Sequence, residues 1–563
     1  MKPKKQNILF VMFDQLRFDY LGCCGHPHIK TPNIDRLAKK AVRFTHAYAQ
    51  STICGASRMS YYTGRYVASH GAAWNDFPLR VGEWTMGDHL RKAGMGCYLV
   101  GKTHMRVDAE GMARLGLAAE SEVGARQAEC GFDVVVREDG LVGQGPEGFY
   151  SDQQPYNAYL RSKGYGGENP WADFANAGDE GGMTASGWFM RHADKPANIA
   201  EQDSETPWLT RQAIRFLENA EGPWCAHVSY IKPHWPYIVP APYHNMYGPE
   251  DVIPAIRSEG ERMDPHPLYA AFMESGIAET FTRDEVREKV VPAYMGLISQ
   301  CDTELGRILD HLERSGQAEN TVIVVTSDHG DYLGDHWLGE KDMFHDVSVR
   351  VPMIIYDPSP AADSTRGTTC DALVEAIDLT PTFIEIAGGT VPGHIVEGKS
   401  LLPLLHGTTP ENWRDFVISE YSFAQLPIRK ALGVSQRDAR MCMIANHDFK
   451  MIHVEGGFRP MLFDLRRDHL ELEDVGDRPE YAEVIEQLYR QLATWARRDS
   501  QRLTLSDEEV ERRSAAGPLP NGILVGVFDE ADVPQVNRDY YRHNTPERPD
   551  TSATRPAASG EPD

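Results

Sequence analysis

The chain of 563 residues is 41% hydrophobic and 25% charged, a composition typical of globular proteins and not of disordered or collagen-like ones. Its 57 basic and 82 acidic residues give a net charge of −25, which argues against nucleic acid or an anionic membrane as the main partner. The nine cysteines contain no CxxC pair, which favours a reducing compartment. No apolar stretch reaches about 18 residues, and the apolar run 8–13 is too short for a signal peptide. We therefore expect a soluble, cytoplasmic protein.

Apolar runs and helical spacings alternate along the first 420 residues. Strands are predicted at 7–13, 97–100, 223–231, 321–326 and 352–356, and helices at 32–48, 85–93, 204–219, 283–315 and 379–387. This alternation predicts an α/β fold with a large, mainly parallel sheet sandwiched by helices. Residues 105–200 are rich in glycine and lack periodicity, so we expect long insertions there. Ligands bind such sheets at the carboxyl ends of the strands, and we expect the insertions to cover that edge.

The pattern changes after residue 420 to short strands and one helix. Strands are predicted at 432–434, 441–445, 450–454 and 461–464, and a helix at 482–497. We expect a large domain over 1–420 and a small antiparallel α+β subdomain over 421–505. Residues 506–563 form a C-terminal extension whose apolar part suits an interface in a homo-oligomer, a dimer or tetramer. Its end, 543–563, is rich in proline and charge and is predicted to be disordered.

Two predicted strands end in polar pairs. Asp14 and Gln15 follow the first strand, and Asp328 and His329 follow the strand at 321–326. Either pair alone is most simply explained as a polar turn. Together, two carboxylates, an amide oxygen and an imidazole suit Ca²⁺ or Mn²⁺, and the nitrogen ligand favours manganese.

The most specific segment is Cys-Gly-Ala-Ser-Arg at 54–58, followed by Thr-Gly-Arg at 63–65. Its simplest interpretation is a buried cysteine before a helix that Ser57 caps. The segment resembles the signature of the type I sulfatases, Cys-x-Pro/Ala-x-Arg followed by Thr-Gly-Arg, with Ala56 where proline is commoner. The resemblance implies that a formylglycine-generating enzyme oxidises Cys54 to formylglycine (3-oxoalanine). One hydroxyl of the aldehyde hydrate then attacks the ester, and the other later expels the inorganic anion.

The resemblance extends over nearly the whole chain. Segments 230–237, 327–333, 377–382 and 462–465 look like the arylsulfatase and phosphonate monoester hydrolase subgroup of the alkaline phosphatase superfamily. Gln15 and His329 follow the phosphonate monoester hydrolase pattern, where many sulfatases have Asp and Asn. An alkaline phosphatase-like fold and one divalent cation are implied. The implied metal ligands are Asp14, Gln15, Cys54, Asp328 and His329.

Several further residues receive roles from the same resemblance. Arg58 would hydrogen-bond the hydrate, Lys102 would hold a sulfate oxygen, and His104 would take a proton from the hydrate. His234 would protonate the leaving oxygen, and Lys341 would bind the substrate anion beside it. Asn75 is expected either to contact a substrate oxygen or to serve only a turn.

The Gly-Lys-Thr-His element at 101–104 favours sulfate over phosphonate, because the phosphonate monoester hydrolases usually carry Tyr and Thr in this stretch. Taken alone, it is a solvated lysine and an incidental histidine. We expect arylsulfatase-like hydrolysis of a small anionic sulfate monoester through a covalent sulfo-enzyme intermediate, with promiscuity. The alternative is a phosphonate monoester or phosphodiester hydrolase with the same nucleophile. A non-catalytic binding protein with unmodified Cys54 is a third hypothesis, which the complete set of metal and basic residues disfavours.

Overall fold

A computed structural model describes residues 6–75, 77–140, 154–498 and 505–515. The chain forms two compact units, Met1–Ser500 and Gln501–Asp563. The described part of the second unit contains one helix, Asp507–Ala515. The rest of the predicted extension, with its expected disordered end and interface segment, lies outside the described residues.

The strands and helices are numbered in chain order. The strands are β1 (Asn7–Asp14), β2 (Val42–Tyr48), β3 (Gly96–Gly101), β4 (Asp133–Arg137), β5 (Ala177–Glu180), β6 (Met183–Ser186), β7 (Trp224–Pro233), β8 (Thr321–Ser327), β9 (Met353–Tyr356), β10 (Thr369–Glu375), β11 (Val417–Ser422), β12 (Arg440–Ala445), β13 (Phe449–Val454) and β14 (Met461–Asp464). The α-helices are α1 (Pro32–Ala38), α2 (Cys54–Thr63), α3 (Val67–His70), α4 (Met86–Lys92), α5 (Ala109–Leu115), α6 (Glu122–Ala128), α7 (Pro155–Ser162), α8 (Glu205–Asn219), α9 (Pro267–Met273), α10 (Gly276–Phe281), α11 (Asp284–Arg314), α12 (Asp346–Val349), α13 (Leu379–Ile386), α14 (Leu402–Leu405), α15 (Pro427–Ala431), α16 (Ala482–Ala496) and α17 (Asp507–Ala515).

Eight strands form the main sheet in the order β10-β2-β9-β8-β1-β7-β3-β4. All neighbours pair in parallel except β9, which is antiparallel to both β2 and β8. The predicted α/β class with a mainly parallel sheet is therefore confirmed. Because β8, β1, β7 and β3 are adjacent and parallel, the loops after their carboxyl ends meet at one edge of the sheet.

Helices cover both faces of this sheet, and the side chains of β1 show how the core divides. Leu9, Val11 and Phe13 enter the core that α11 shares, whereas Phe10 and Met12 enter the core on the other face, with α4 and α13. A strand buried on both faces reads as a continuous apolar run. The apolar run at 8–13 has this pattern, in agreement with the central position of β1 in the sheet.

The helix predicted at 32–48 is wrong beyond residue 38. After α1 the chain turns and forms β2, in which Val42 and Phe44 pair with Ile355 and Met353 of β9. β-branched and aromatic side chains favour a strand where the sheet supplies a partner, and tertiary pairing overrides the helical spacing here. The sheet also contains β10, which no sequence pattern indicated, and β4, which lies within the expected insertion.

The C-terminal part forms a separate four-stranded antiparallel sheet in the order β11-β12-β13-β14, with α16 beside it. The expected antiparallel subdomain is confirmed as an architecture. The strand predicted at 432–434 is wrong, because these residues follow α15 in a turn, and the fourth strand is β11 at Val417–Ser422. None of the helices in the described ranges is long and apolar enough to cross a bilayer.

Candidate active site

The predicted site residues lie where the central strands end. Asp14 is the last residue of β1, Asp328 and His329 follow β8, Lys102 follows β3, and His234 follows β7. Strand order alone therefore brings four loops of distant sequence to one edge. Their polar side chains are almost completely withdrawn from water.

Cys54 is the first residue of α2 and is 1% exposed. The amide N–H of Gly55 donates to the side-chain oxygen of Asn75 at 2.8 Å, so Asn75 supports the start of this helix. A Cβ at Gly55 would lie 3.0 Å from the same oxygen, which leaves little space for a side chain. Ser57 does not cap the helix, because its hydroxyl donates to the carbonyl of Asp328 at 2.7 Å. That bond ties the Cys54 helix to the loop after β8.

Four side chains offer donor atoms that lie within 4.8 Å of one another: Asp14, Cys54, Asp328 and His329. His329 Nε2 is 3.0 Å from Cys54 Sγ and 3.8 Å from one carboxylate oxygen each of Asp14 and Asp328. The four residues are buried. Carboxylate oxygens and an imidazole nitrogen that converge in one buried place are the donor set of a divalent cation that takes oxygen and nitrogen ligands.

Arg58 orients both carboxylates from behind. Its guanidinium contacts Oδ2 of Asp328 at 2.8 Å and Oδ2 of Asp14 at 3.1 Å, which leaves the Oδ1 atoms for the cluster. The remaining donors of the same guanidinium bond the hydroxyl of Ser229 at 2.7 Å and the carbonyl of Lys102 at 3.0 Å. Arg58 is one helical turn beyond Cys54, so α2 supplies both the thiol and the group that fixes the carboxylates.

Two of the predicted ligands, His329 and Gln15, are oriented by hydrogen bonds of their second polar atoms. The ring of His329 donates through Nδ1 to the carbonyl of Gly330 at 2.9 Å, and this turns Nε2 towards the cluster, 3.0 Å from Cys54 Sγ. The amide nitrogen of Gln15 donates to the Asp331 carboxylate and to the hydroxyl of Tyr237. These bonds turn Oε1 of Gln15 to the other side, where it accepts from Lys341 at 3.3 Å. Such outer partners set the orientation of metal ligands.

Cationic and imidazole groups surround the Cys54 thiol. Lys341 Nζ is 3.5 Å from Sγ, and the side chain of His104 is near enough to the sulfur to lower the pKa of the thiol. On the far side Lys102 Nζ is 2.5 Å from Asp14 Oδ2. Burial raises the pKa of the thiol, but the charges of Lys341 and His329 outweigh burial and place the pKa well below its ordinary value. The surroundings of Cys54 therefore favour an anion at this point.

His234 and Lys341 form a contact of their own. The His234 ring donates through Nδ1 to the carbonyl of Trp235 at 2.7 Å, so its Nε2, at 3.2 Å from Lys341 Nζ, accepts a hydrogen bond from the ammonium. Burial and this ammonium lower the pKa of His234. His234 is therefore neutral in the arrangement seen here, and the proton at this position is held by Lys341.

Sequence reasoning missed three residues that organise the site. Asp331 and Tyr237 hold the Gln15 amide, and the Asp139 carboxylate accepts the backbone N–H groups of Thr103 and His104 at 3.0 Å each. Asp331 lies two residues after His329, within the segment 327–333 that resembles the family, so this resemblance could have indicated it. Asp139 lies in the glycine-rich stretch and carries no local pattern.

The profile of the sulfatase family matches residues 6–389. The chain belongs to the sulfatase family. A second profile, that of the C-terminal part of N-sulphoglucosamine sulphohydrolase, matches residues 334–498. Sulfatase homologues, among them enzymes named as arylsulfatase, place the chain among the sulfuric ester hydrolases.

Individual relatives support the expected subgroup. The multifunctional alkaline phosphatase superfamily protein PehA of Trinickia caryophylli is 29% identical over 517 residues, covering 87% of this chain and 95% of PehA. An arylsulfatase of Clostridium perfringens is 28% identical over 509 residues, covering 86% and 93% of the two chains. The structure of the phosphonate monoester hydrolase SpPMH from Silicibacter pomeroyi is 28% identical with a TM-score of 0.76, covering 90% of this chain and 98% of that one. The resemblance and the alkaline phosphatase-like fold are thus confirmed.

Proposed function

We propose that this sulfatase hydrolyses sulfate monoesters of the arylsulfatase type, using formylglycine formed from Cys54 and one divalent cation, through a covalent sulfo-enzyme intermediate. The observation that carries the proposal is the position of Cys54. Its Sγ is one of the four clustered donor atoms and lies 3.5 Å from Lys341 Nζ, with the side chain of His104 nearby. An oxygen nucleophile at this position would face a metal site on one side and groups that bind an anion on the other.

The protein groups around this position would have separate roles in the reaction. Ca²⁺ or Mn²⁺, held by Asp14, Asp328, His329 and Gln15, would act as a Lewis acid and stabilise the nucleophilic oxygen as an anion. Arg58 holds the carboxylates, and Lys102 balances the charge of Asp14. His104 is near the Cys54 side chain and would take the proton of the second hydroxyl when the sulfate leaves.

The leaving oxygen would be protonated at the His234–Lys341 contact. Lys341 donates a hydrogen bond to His234 Nε2. A substrate oxygen that binds beside this pair would contact both groups. The negative charge of a bound sulfate would raise the pKa of His234 and favour its protonated form. Positioned acid catalysis of this kind contributes typically about 10² to 10⁴-fold.

Phosphonate monoester or phosphodiester hydrolysis is the second candidate, because the chain matches the phosphonate monoester hydrolase structure over 90% of its length. The Lys102–His104 element supports sulfate, since both side chains reach the nucleophile region in this structure. Steady-state kinetics on an aryl sulfate and an aryl phosphonate with the same leaving group test the choice. We expect the higher kcat/KM for the sulfate. A preference for phosphonate by tenfold or more, about 1.4 kcal/mol in barrier, would replace sulfate with the second candidate.

Three further expectations remain proposals. We propose that a formylglycine-generating enzyme modifies Cys54 during maturation, that the protein acts in the cytoplasm, and that it assembles as a homo-oligomer. The nine cysteines, all free in the structure, are typical of a reducing compartment and support the cytoplasmic location. The domain bounds 1–420, 421–505 and 506–563 likewise stay predictions.

A further inference from the structure

A row of aromatic rings runs from His234 to the protein surface. The ring of His234 lies 4.4 Å from that of Trp235, and Trp235 lies 5.0 Å from Trp188, centroid to centroid, at an interplanar angle of 66°. Trp188 is 40% exposed. The row therefore has one end at the proposed proton donor and the other end in water.

Trp188 comes from the insertion and not from the sheet that carries the rest of the site. It follows the β5–β6 hairpin directly. A Cβ at the preceding Gly187 would lie 2.6 Å from the carbonyl oxygen of Asn176 and 3.1 Å from Cβ of Pro236. The first contact excludes a side chain at residue 187, and the second shows that the end of the hairpin packs closely on the loop that follows β7. The close contact places Trp188 beside the His234 loop.

Hydrogen bonds fix the hairpin to the same loop. Lys232 Nζ donates to the side chain of Asn176 at 2.9 Å and to the carbonyls of Pro236 at 3.0 Å and His234 at 3.3 Å. The amide of Ala197 donates to the carbonyl of Val239 at 2.8 Å. With one buried lysine joining both segments, Trp188 has a defined position relative to the His234 imidazole. A residue for recognising a ligand needs such support from its neighbours.

The surroundings of Trp188 are open and partly apolar. The next residue, Phe189, is 60% exposed. Both aromatic residues line a surface cavity of about 530 Å³ whose opposite wall, with Val286 and Lys289, is the start of α11 and which does not include Trp235 or His234. The indole nitrogen of Trp235 is buried and, among the described residues, has no hydrogen-bond acceptor. A buried donor without a partner is costly, and it suits a position where a bound molecule supplies the acceptor.

We infer that Trp188 and Trp235 form the subsite for the leaving group, and that Trp188 is a specificity-determining residue that selects extended aromatic leaving groups. The inference rests on the proposed role of His234 beside the leaving oxygen. A leaving group that starts at His234 meets Trp235 with its first ring and Trp188 with a second ring. Aromatic rings gain from stacked or edge-to-face contact beyond the burial of area, so the second ring adds transition-state stabilisation.

The test compares phenyl sulfate with biphenyl-4-yl sulfate, whose parent phenols have similar acidity, on the full-length chain. Trp188→Ala should lower kcat/KM for the biphenyl ester by about threefold to tenfold and leave the phenyl ester within about twofold, as expected for the loss of one aromatic contact. Trp188→Phe should retain most of the preference. Trp84→Ala is the matched control, because Trp84 is also 40% exposed but stacks on His89 at the start of α4.

The inference is overturned if Trp188→Ala changes both esters by the same factor. Its failure is separable from failure of the proposed sulfatase activity, which would appear as no turnover of either ester by the parent enzyme. In that event, calorimetric titration of both esters into Cys54→Ala protein measures the subsite without chemistry. Tighter binding of the biphenyl ester that Trp188→Ala abolishes supports the subsite, and equal affinities for the two esters overturn it.

Discussion

Asp331 offers the sharpest test of how the metal site is held. Its carboxylate accepts from the Gln15 amide and from the Tyr237 hydroxyl, and that hydroxyl in turn lies 3.1 Å from the Gln15 amide nitrogen. Burial and the neighbouring Glu340 raise the pKa of Asp331 to about 6, so it accepts as a carboxylate at neutral pH. We predict that Asp331→Leu, of similar volume, frees the Gln15 side chain and weakens the binding of the cation.

The size of the effect follows from the contacts that are lost. The variant removes the carboxylate that accepts from the Gln15 amide, the Tyr237 hydroxyl and the backbone N–H of Leu333. Outer partners of metal ligands are typically worth about 10-fold to 100-fold in affinity. We expect a loss of this size for Mn²⁺ or Ca²⁺. The measurement is a titration of metal-depleted protein in chelator-buffered cation, followed by recovery of aryl sulfatase activity and by the thermal midpoint. Asp331→Asn keeps a carbonyl acceptor and should stay within a few-fold of the parent.

A double mutant decides whether Asp331 acts through Gln15. If it does, Asp331→Leu should add little to the affinity loss of Gln15→Ala, because both changes remove the same ligand. Fully additive losses would show a separate effect on the site. Unchanged cation affinity in Asp331→Leu would refute the reasoning that Gln15 is a ligand oriented by this carboxylate.

Three further outcomes are expected. Exhaustive chelation should remove about one equivalent of metal together with activity, and re-addition of Mn²⁺ or Ca²⁺ should restore it; full activity without metal would exclude the cation site. Lys102→Ala should lower kcat/KM for an aryl sulfate more than for the matching aryl phosphonate, because a transition-state contact is lost, and equal losses would remove the argument from this element. Burial raises the pKa of Glu420 from 4.5 to about 7, so this side chain lowers the stability of the folded state as the pH rises from 4.5 to 7, and the loss is complete above 7. Glu420→Gln should therefore raise the thermal midpoint at pH 8, and the gain should vanish as the pH falls towards 4.5; a gain that is the same at both pH values would contradict this.

Much of the site could be predicted from the sequence, because its ligands stand at the ends of short apolar runs. Both faces of the strand Asn7–Asp14 are buried, so its sequence is a continuous apolar run that is easily recognised, and Asp14 ends it. The loops at Asp328 and Lys102 are recognisable for the same reason. Their meeting point follows from the strand order of a parallel sheet.

What the sequence left out depends on tertiary contacts. Val42–Tyr48 has a spacing compatible with a helix, and only pairing with β9 and β10 makes it a strand. The antiparallel direction of β9 has no local signal either. Asp139 and Trp188 belong to the insertion, whose lack of periodicity hides both the edge strand β4 and the hairpin that packs on the His234 loop.

The central claim is that Cys54 becomes the nucleophile of a sulfatase within the cluster of donor side chains formed by Asp14, Cys54, Asp328 and His329. Peptide mass spectrometry of a fully active sample tests it most directly, with Cys54→Ala protein as the control for fold and residual turnover. We predict that the peptide containing residue 54 carries an aldehyde in place of the thiol, and that Cys54→Ala keeps the fold and loses nearly all turnover. An unmodified thiol throughout a fully active sample would contradict the account.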